Sequence, residues 1–103
     1  MTRILIVEDN DLNRDMLSRR LVRRGFQVVA AADGAAGVEA AIRERPDLVL
    51  MDIRLARGTD GIQAAGEIRT RFDIASLYLS AHTDAATLNR AQATQPLGFI
   101  AKP

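Results

Sequence analysis

"RILIVEDN", residues 3–10, decides how the whole chain is read. Ile4, Leu5, Ile6 and Val7 form an unbroken aliphatic run. Successive side chains of a strand point to opposite sides, so such a run marks a strand covered on both faces, the habit of parallel sheets. The run leads straight into Glu8 and Asp9. Two carboxylates at the tip of a buried strand lose hydration and repel each other, so their placement calls for a chemical reason.

Further along, short apolar runs alternate with segments of helical spacing. Strands are expected at 4–7, 27–31, 48–51, 76–79 and 98–101. The first helix is expected over about 11–24, with i,i+4 pairs Leu12–Met16 and Leu17–Leu21 and with Gly25 as its stop. The second follows Asp33 and runs to about Arg45, carrying Val38, Ala41 and Ile42 on one side, with Pro46 as its stop. The third starts at Asp60 or Gly61 and ends at Phe72, with Ile62, Ala65, Ile68 and Phe72 on one face. The fourth begins after Thr83 or Asp84 and has only Leu88 and small alanines to bury. Strand–helix alternation with short connections implies an α/β domain with a parallel sheet covered on both faces.

The totals agree. At 103 residues, 48% hydrophobic and 26% charged, the chain suits one globular domain, residues 1–103. With no cysteine, disulfides, thiolate metal sites and thiol nucleophiles are excluded. The lack of cysteine fits a reducing cytoplasm, the expected location, and the apolar runs fall far short of a membrane span of about 20 residues, so no membrane role is expected. Arg19, Arg20, Arg23 and Arg24 cluster near the end of the first helix, where cations suit the negative pole of the dipole. A net charge of +1 and the lack of interleaved aromatics argue against direct nucleic-acid contact.

The polar residues at the strand ends carry the chemistry. The first strand ends in Glu8 and Asp9, the third in Asp52, the fourth in Ser80 and the fifth in Lys102. In an open parallel sheet these carboxyl ends share one edge, and ligands bind in the crevice outside it. Three acids, a hydroxyl and an ammonium then meet in one place. One lysine does not neutralise three carboxylates; a hard divalent cation does, and an all-oxygen donor set suits Mg²⁺ or Mn²⁺. Asp52 on the central strand could attack phosphorus. The cation would offset charge on the transferring phosphoryl group, with Ser80 and Lys102 holding its other oxygens.

The motifs "ILIVEDN", "PDLVLMDIRL", "DGI", "LYLSA" and "GFIAKP", in this order across the chain, resemble the receiver domain of two-component response regulators. The resemblance implies a flavodoxin-like doubly wound five-stranded parallel sheet of order 2-1-3-4-5, here with four helices instead of five. It implies that Asp52 is the phosphoacceptor, served by a sensor histidine kinase or a histidine phosphotransfer protein. It implies that Asp9, Asp52 and the backbone carbonyl of Arg54 bind Mg²⁺, with Glu8 acting through water. Ser80 and Lys102 are implied as phosphoryl ligands, Ser80 and Phe99 as the residues that move on switching, and Lys102–Pro103 as a cis bond. The chain would catalyse its own phosphorylation and dephosphorylation without being a conventional enzyme.

Three features depart from the family pattern. Arg54 sits two residues after Asp52, at the mouth of the site, where a long cation could contact phosphoryl oxygens or obstruct water. "RLARGTDGI" lacks the proline usual after the phosphoacceptor. After the fifth strand the sequence continues only through Lys102 and Pro103, so a truncated receiver without an output domain is expected, with self-association through the face left open. The alternatives are a receiver-like interaction module that is not phosphorylated and a magnesium-dependent phosphohydrolase. The latter usually has a second aspartate where Arg54 stands. His82 is expected in a loop near the site mouth and Tyr78 in strand packing.

Overall fold

The computed structural model describes residues 1–54, 60–80 and 84–101. Lys102, Pro103 and the bond between them, His82 and residues 55–59 of the "RLARGTDGI" loop therefore lie outside the described residues. The elements run β1 (Arg3–Val7), α1 (Asp11–Arg23), β2 (Gln27–Ala31), α2 (Gly34–Glu44), β3 (Leu48–Asp52), α3 (Gly61–Phe72), β4 (Ser76–Ser80), α4 (Ala85–Gln92) and β5 (Gly98–Ala101). The five strands form one parallel sheet in the order β2-β1-β3-β4-β5, as the resemblance implied.

Each helix starts on a side-chain cap. Asn10, Asp33, Asp60 and Asp84 stand in extended backbone, and each accepts a hydrogen bond from the N–H three residues on. Such caps satisfy donors that the first turn leaves without partners. α2 and α3 end on Arg45 and Asp73 in left-handed backbone, whereas α1 is followed by Gly25 at φ +94°.

The period-two alternation of the strands divides the core. Leu5 and Val7 point, with Val49, Met51 and Tyr78, toward α2 and α3, where Val38, Ala41, Ile62 and Ile68 complete the larger cluster. Ile4 and Ile6 point the other way, with Leu50 and Leu79, against the partly buried Leu17 and Leu21 of α1. Two expected helix faces need correction. Leu12 is 81% and Met16 38% exposed, and neither joins the core, so α1 rests on Leu17 and Leu21. Ile42 is 43% exposed, and Ala40 takes the inward place assigned to it. In α4 the buried residue is Ala91, one of the small alanines expected to pack there, while Leu88 is 37% exposed.

The α1 side is the more open. Met16, Leu17 and Arg20 of α1 face Leu79, Ile100 and Ala101 of β4 and β5 across a mostly apolar groove of about 400 Å³ that reaches Glu8 at its upper end. No helix among the described residues is long and apolar enough to cross a membrane.

Candidate functional site

The strand order reverses between β1 and β3, since β1 leads outward to β2 and β3 leads the other way to β4. This is the switch point at which open α/β sheets bind ligands. The register sets what stands there. Val7 pairs with Met51, so the next residues, Glu8 and Asp52, emerge side by side. The ladder continues past the last paired residues. Glu8 N–H donates to Ala31 O at 3.0 Å, and Ile53 N–H donates to Leu79 O at 3.2 Å. Backbone bonds on either side therefore hold the two acids in place.

Glu8, Asp9 and Asp52 each offer a carboxylate oxygen, and these oxygens lie within 4.8 Å of one another. Glu8 is fully buried and Asp52 is 3% exposed, while Asp9 is the open member. Asn10 N–H approaches Glu8 Oε2 at 3.4 Å, and Arg54 N–H donates to Asp52 Oδ1 at 3.2 Å. Arg14 on α1 donates from one guanidinium nitrogen to the Glu8 carbonyl at 2.9 Å and from the other to Asp11 at 2.5 Å, bracing the loop below the acids.

The donor set fits a small hard cation. An octahedral ion with oxygens at about 2.1 Å spans about 4.2 Å between opposite ligands, so a slight closure or one bridging water brings all three acids into its reach. Carboxylate oxygens without thiolate or imidazole suit Mg²⁺ or Mn²⁺ rather than zinc or copper.

The start of α3 is pressed against this site. Gly61 N–H donates to Ile53 O at 3.1 Å, and a Cβ on Gly61 would lie 1.8 Å from the Asp52 carbonyl oxygen. Only glycine permits that approach. Asp60, one residue earlier, shares its carboxylate. One oxygen caps Gln63 N–H at 2.7 Å, and the other accepts from Arg90 of α4 at 2.9 Å. Burial works to raise the Asp60 pKa, but the bonds from Gln63 N–H and Arg90 outweigh it and leave the carboxyl below its ordinary value. Asp84, the cap of α4, is likewise held low, by Thr87 through backbone and side-chain bonds and then by the charge of Arg54.

Of the residues expected at the site, Glu8, Asp9 and Asp52 converge. Ser80 ends β4 at the same edge, one residue beyond the Leu79 that pairs with Asp52, and itself pairs with Ala101. The Arg54 side chain lines a recess of about 380 Å³ between α3 and α4, with Asp60, Thr87 and Arg90. Phe99 stacks on Tyr78 with ring centroids 5.5 Å apart. Thr94 gives its hydroxyl hydrogen to Ala91 O at 2.7 Å, so in the 2.7 Å contact between Tyr78 and Thr94 the phenol is the donor. Burial raises the Tyr78 pKa above its ordinary value. The sequence reading missed the roles of Arg14, Gly61 and Arg90. The "DG" pair signalled a helix start, but nothing local linked it to Arg90, thirty positions along the chain.

Residues 4–103 match the family model described as the response regulator receiver domain. The chain belongs to that family. A transcriptional regulatory protein of Mycobacterium tuberculosis, PdtaR, is 36% identical over 102 residues, covering 98% of this chain and 49% of that protein. The transcriptional regulatory protein CseB of Streptomyces coelicolor is 33% identical, over 99% of this chain and 43% of its own length. This receiver domain thus spans about half the length of these relatives. Among solved structures, the signal receiver domain of a modulated diguanylate cyclase from Desulfovibrio desulfuricans superposes with a TM-score of 0.93 at 31% identity, covering all of this chain and 82% of the other. The chemotaxis protein CheY4 of Vibrio cholerae gives a TM-score of 0.92 at 25% identity, over 100% of this chain and 88% of that one.

Proposed function

We propose that this receiver domain is a phosphoacceptor switch in which Asp52 takes a phosphoryl group from a phosphohistidine donor, on a sensor histidine kinase or a histidine phosphotransfer protein. The observation that carries the reading is the convergence of Glu8, Asp9 and Asp52 within 4.8 Å at the switch point of the sheet. In the transfer, an Asp52 carboxylate oxygen attacks phosphorus, the P–N bond to the donor imidazole breaks, and an acyl phosphate forms on Asp52. A bound Mg²⁺ or Mn²⁺ supplies charge neutralisation for the transferring oxygens. Asp9, Asp52 and the Arg54 carbonyl would hold that cation, with Glu8 assisting through water. Ser80 and Lys102 take the phosphoryl oxygens, and water later cleaves the acyl phosphate, releasing inorganic phosphate and restoring the Asp52 carboxylate.

The switch follows from the same groups. Ser80 moves toward the new phosphoryl oxygens, and Phe99, which packs on Tyr78 next to α4, repacks with it. A difference of a few kcal/mol between two arrangements suffices for such a population shift. Titration with beryllium fluoride, a phosphoryl mimic, tests this in the presence and absence of Mg²⁺. Amide shifts at Asp52, Ser80 and Phe99 that need both reagents support the reading. No response at those amides refutes it and leaves a receiver-shaped interaction module.

A further inference from the structure

Asp60 and Arg90 form a bridge whose mechanics extend to the back of the phosphoacceptor. Arg90, in the last turn of α4, donates to Asp60 Oδ2 at 2.9 Å, while Asp60 Oδ1 caps α3 through Gln63 N–H at 2.7 Å. The next residue, Gly61, donates to Ile53 O, and its Cα stands so close to the Asp52 carbonyl that a single methyl has no room. An unbroken path of contacts therefore joins an α4 guanidinium to the backbone of Asp52. The pair is partly open, with side chains 56% and 43% exposed, so its share of global stability is small. Its geometry matters more, because Asp60 is the one contact by which the α3 cap touches α4 through charge among the described residues.

We propose that Arg90 is a positioning residue for Asp52: through Asp60 and Gly61 it holds the first turn of α3 against the Asp52 carbonyl, and it couples the placement of α4 to the reactivity of that carboxylate. The coupling to reactivity rests on the phosphoacceptor reading of Asp52. Linkage then runs both ways, so whatever displaces α4 alters the Asp52 site, and phosphorylation of Asp52 alters the bridge. Arg54 lines the same recess and adds a second guanidinium beside the bridge, from the segment that follows Asp52.

The test compares wild type, Arg90→Ala, Arg90→Lys, Asp60→Asn and the double variant Asp60→Asn/Arg90→Ala. Asparagine caps helices as well as aspartate does, so Asp60→Asn removes the ion pair and keeps the cap. Amide hydrogen exchange at Gly61 is read on the unphosphorylated protein, with Ile6 and Val7 as internal controls. The expected result is exchange at Gly61 faster by about two- to fivefold in Arg90→Ala and in Asp60→Asn, the range of a partly exposed pair. The double variant should show no further increase, and Arg90→Lys should recover part of the protection. The rate of Asp52 phosphorylation by acetyl phosphate should fall in parallel. Unchanged Gly61 exchange, additive single effects, or equal acceleration at Gly61, Ile6 and Val7 would each overturn the proposal, the last because it signals general destabilisation. A wild type that gains no phosphoryl group overturns the phosphoacceptor reading instead, and the hold on the Asp52 carbonyl is still decided by the Gly61 exchange.

Discussion

Replacing Gly61 by alanine puts a methyl group where the backbone of Asp52 already stands. The new Cβ would lie 1.8 Å from the Asp52 carbonyl oxygen, 2.8 Å from its carbonyl carbon and 3.0 Å from Ile53 Cα. A comfortable carbon–oxygen contact is about 3.3 Å, so the start of α3 must withdraw by about 1.5 Å. The atoms it meets are backbone at the end of a buried central strand, which cannot swing aside as a side chain can. Withdrawal stretches the 3.1 Å bond from Gly61 N–H to Ile53 O beyond use and loosens Ile62 and Ala65 from the core. Overpacking of this kind costs about 1–3 kcal/mol and the lost hydrogen bond about 1, so Gly61→Ala should destabilise by about 2–4 kcal/mol. Gly66, on the same helix, is the control. A Cβ there meets only Thr94 Cγ2, at 3.5 Å, an ordinary contact. Gly66→Ala should therefore gain helix propensity and stabilise by about 0.5–1 kcal/mol. Urea unfolding of both variants reads these differences as midpoint shifts of opposite sign at constant slope. A Gly61→Ala midpoint equal to wild type, or both variants shifting the same way, would refute the reasoning.

Three further outcomes are expected. Tyr78 is the only tyrosine, and its raised pKa gives stability that is complete below the ordinary value of 10.0 and lost as pH rises through the folded value. Absorbance titration should thus show the native protein less ionised at pH 10.0 than the urea-unfolded chain, which is half ionised there; coincident curves would contradict the burial of this side chain. Mg²⁺ at ten times its dissociation constant should stabilise the wild type by about 1.4 kcal/mol, seen as a rise in Tm, and should leave Asp52→Asn almost unmoved. An equal rise in both would place the cation elsewhere. In sedimentation at rising concentration, the 103-residue chain should self-associate through the groove beside α1, and Ile100→Lys, at a side chain 44% exposed, should weaken this. A wild type that stays monomeric would remove that face from consideration.

The strands were legible because a sheet covered on both faces leaves long aliphatic signatures, and the observed β1 to β5 differ from the expected ranges by at most a residue at an end. Helix starts were legible through their caps, Asp33, Asp60 and Asp84. Helix faces were less so. Leu12–Met16 and Leu17–Leu21 have the same spacing, and only the sheet's position shows that Leu17 and Leu21 are the pair that packs. The acids of the site were legible because strand ends in a parallel sheet share an edge, and the register then put Glu8 beside Asp52. The path from Arg90 through Asp60 to Gly61 was not legible, because it depends on the Arg90 side chain reaching Asp60 from thirty positions away. Lys102, expected at the same edge, lies outside the described residues.

The central claim is that Asp52 accepts a phosphoryl group in a cation-dependent reaction, and intact mass after incubation with acetyl phosphate tests it most directly. Wild type and Asp52→Asn are each measured with Mg²⁺ and with a chelator in its place. The account predicts the mass of one added phosphoryl group in wild type with Mg²⁺ only. A wild type that gains nothing with Mg²⁺, or an Asp52→Asn variant that gains as much, would contradict it.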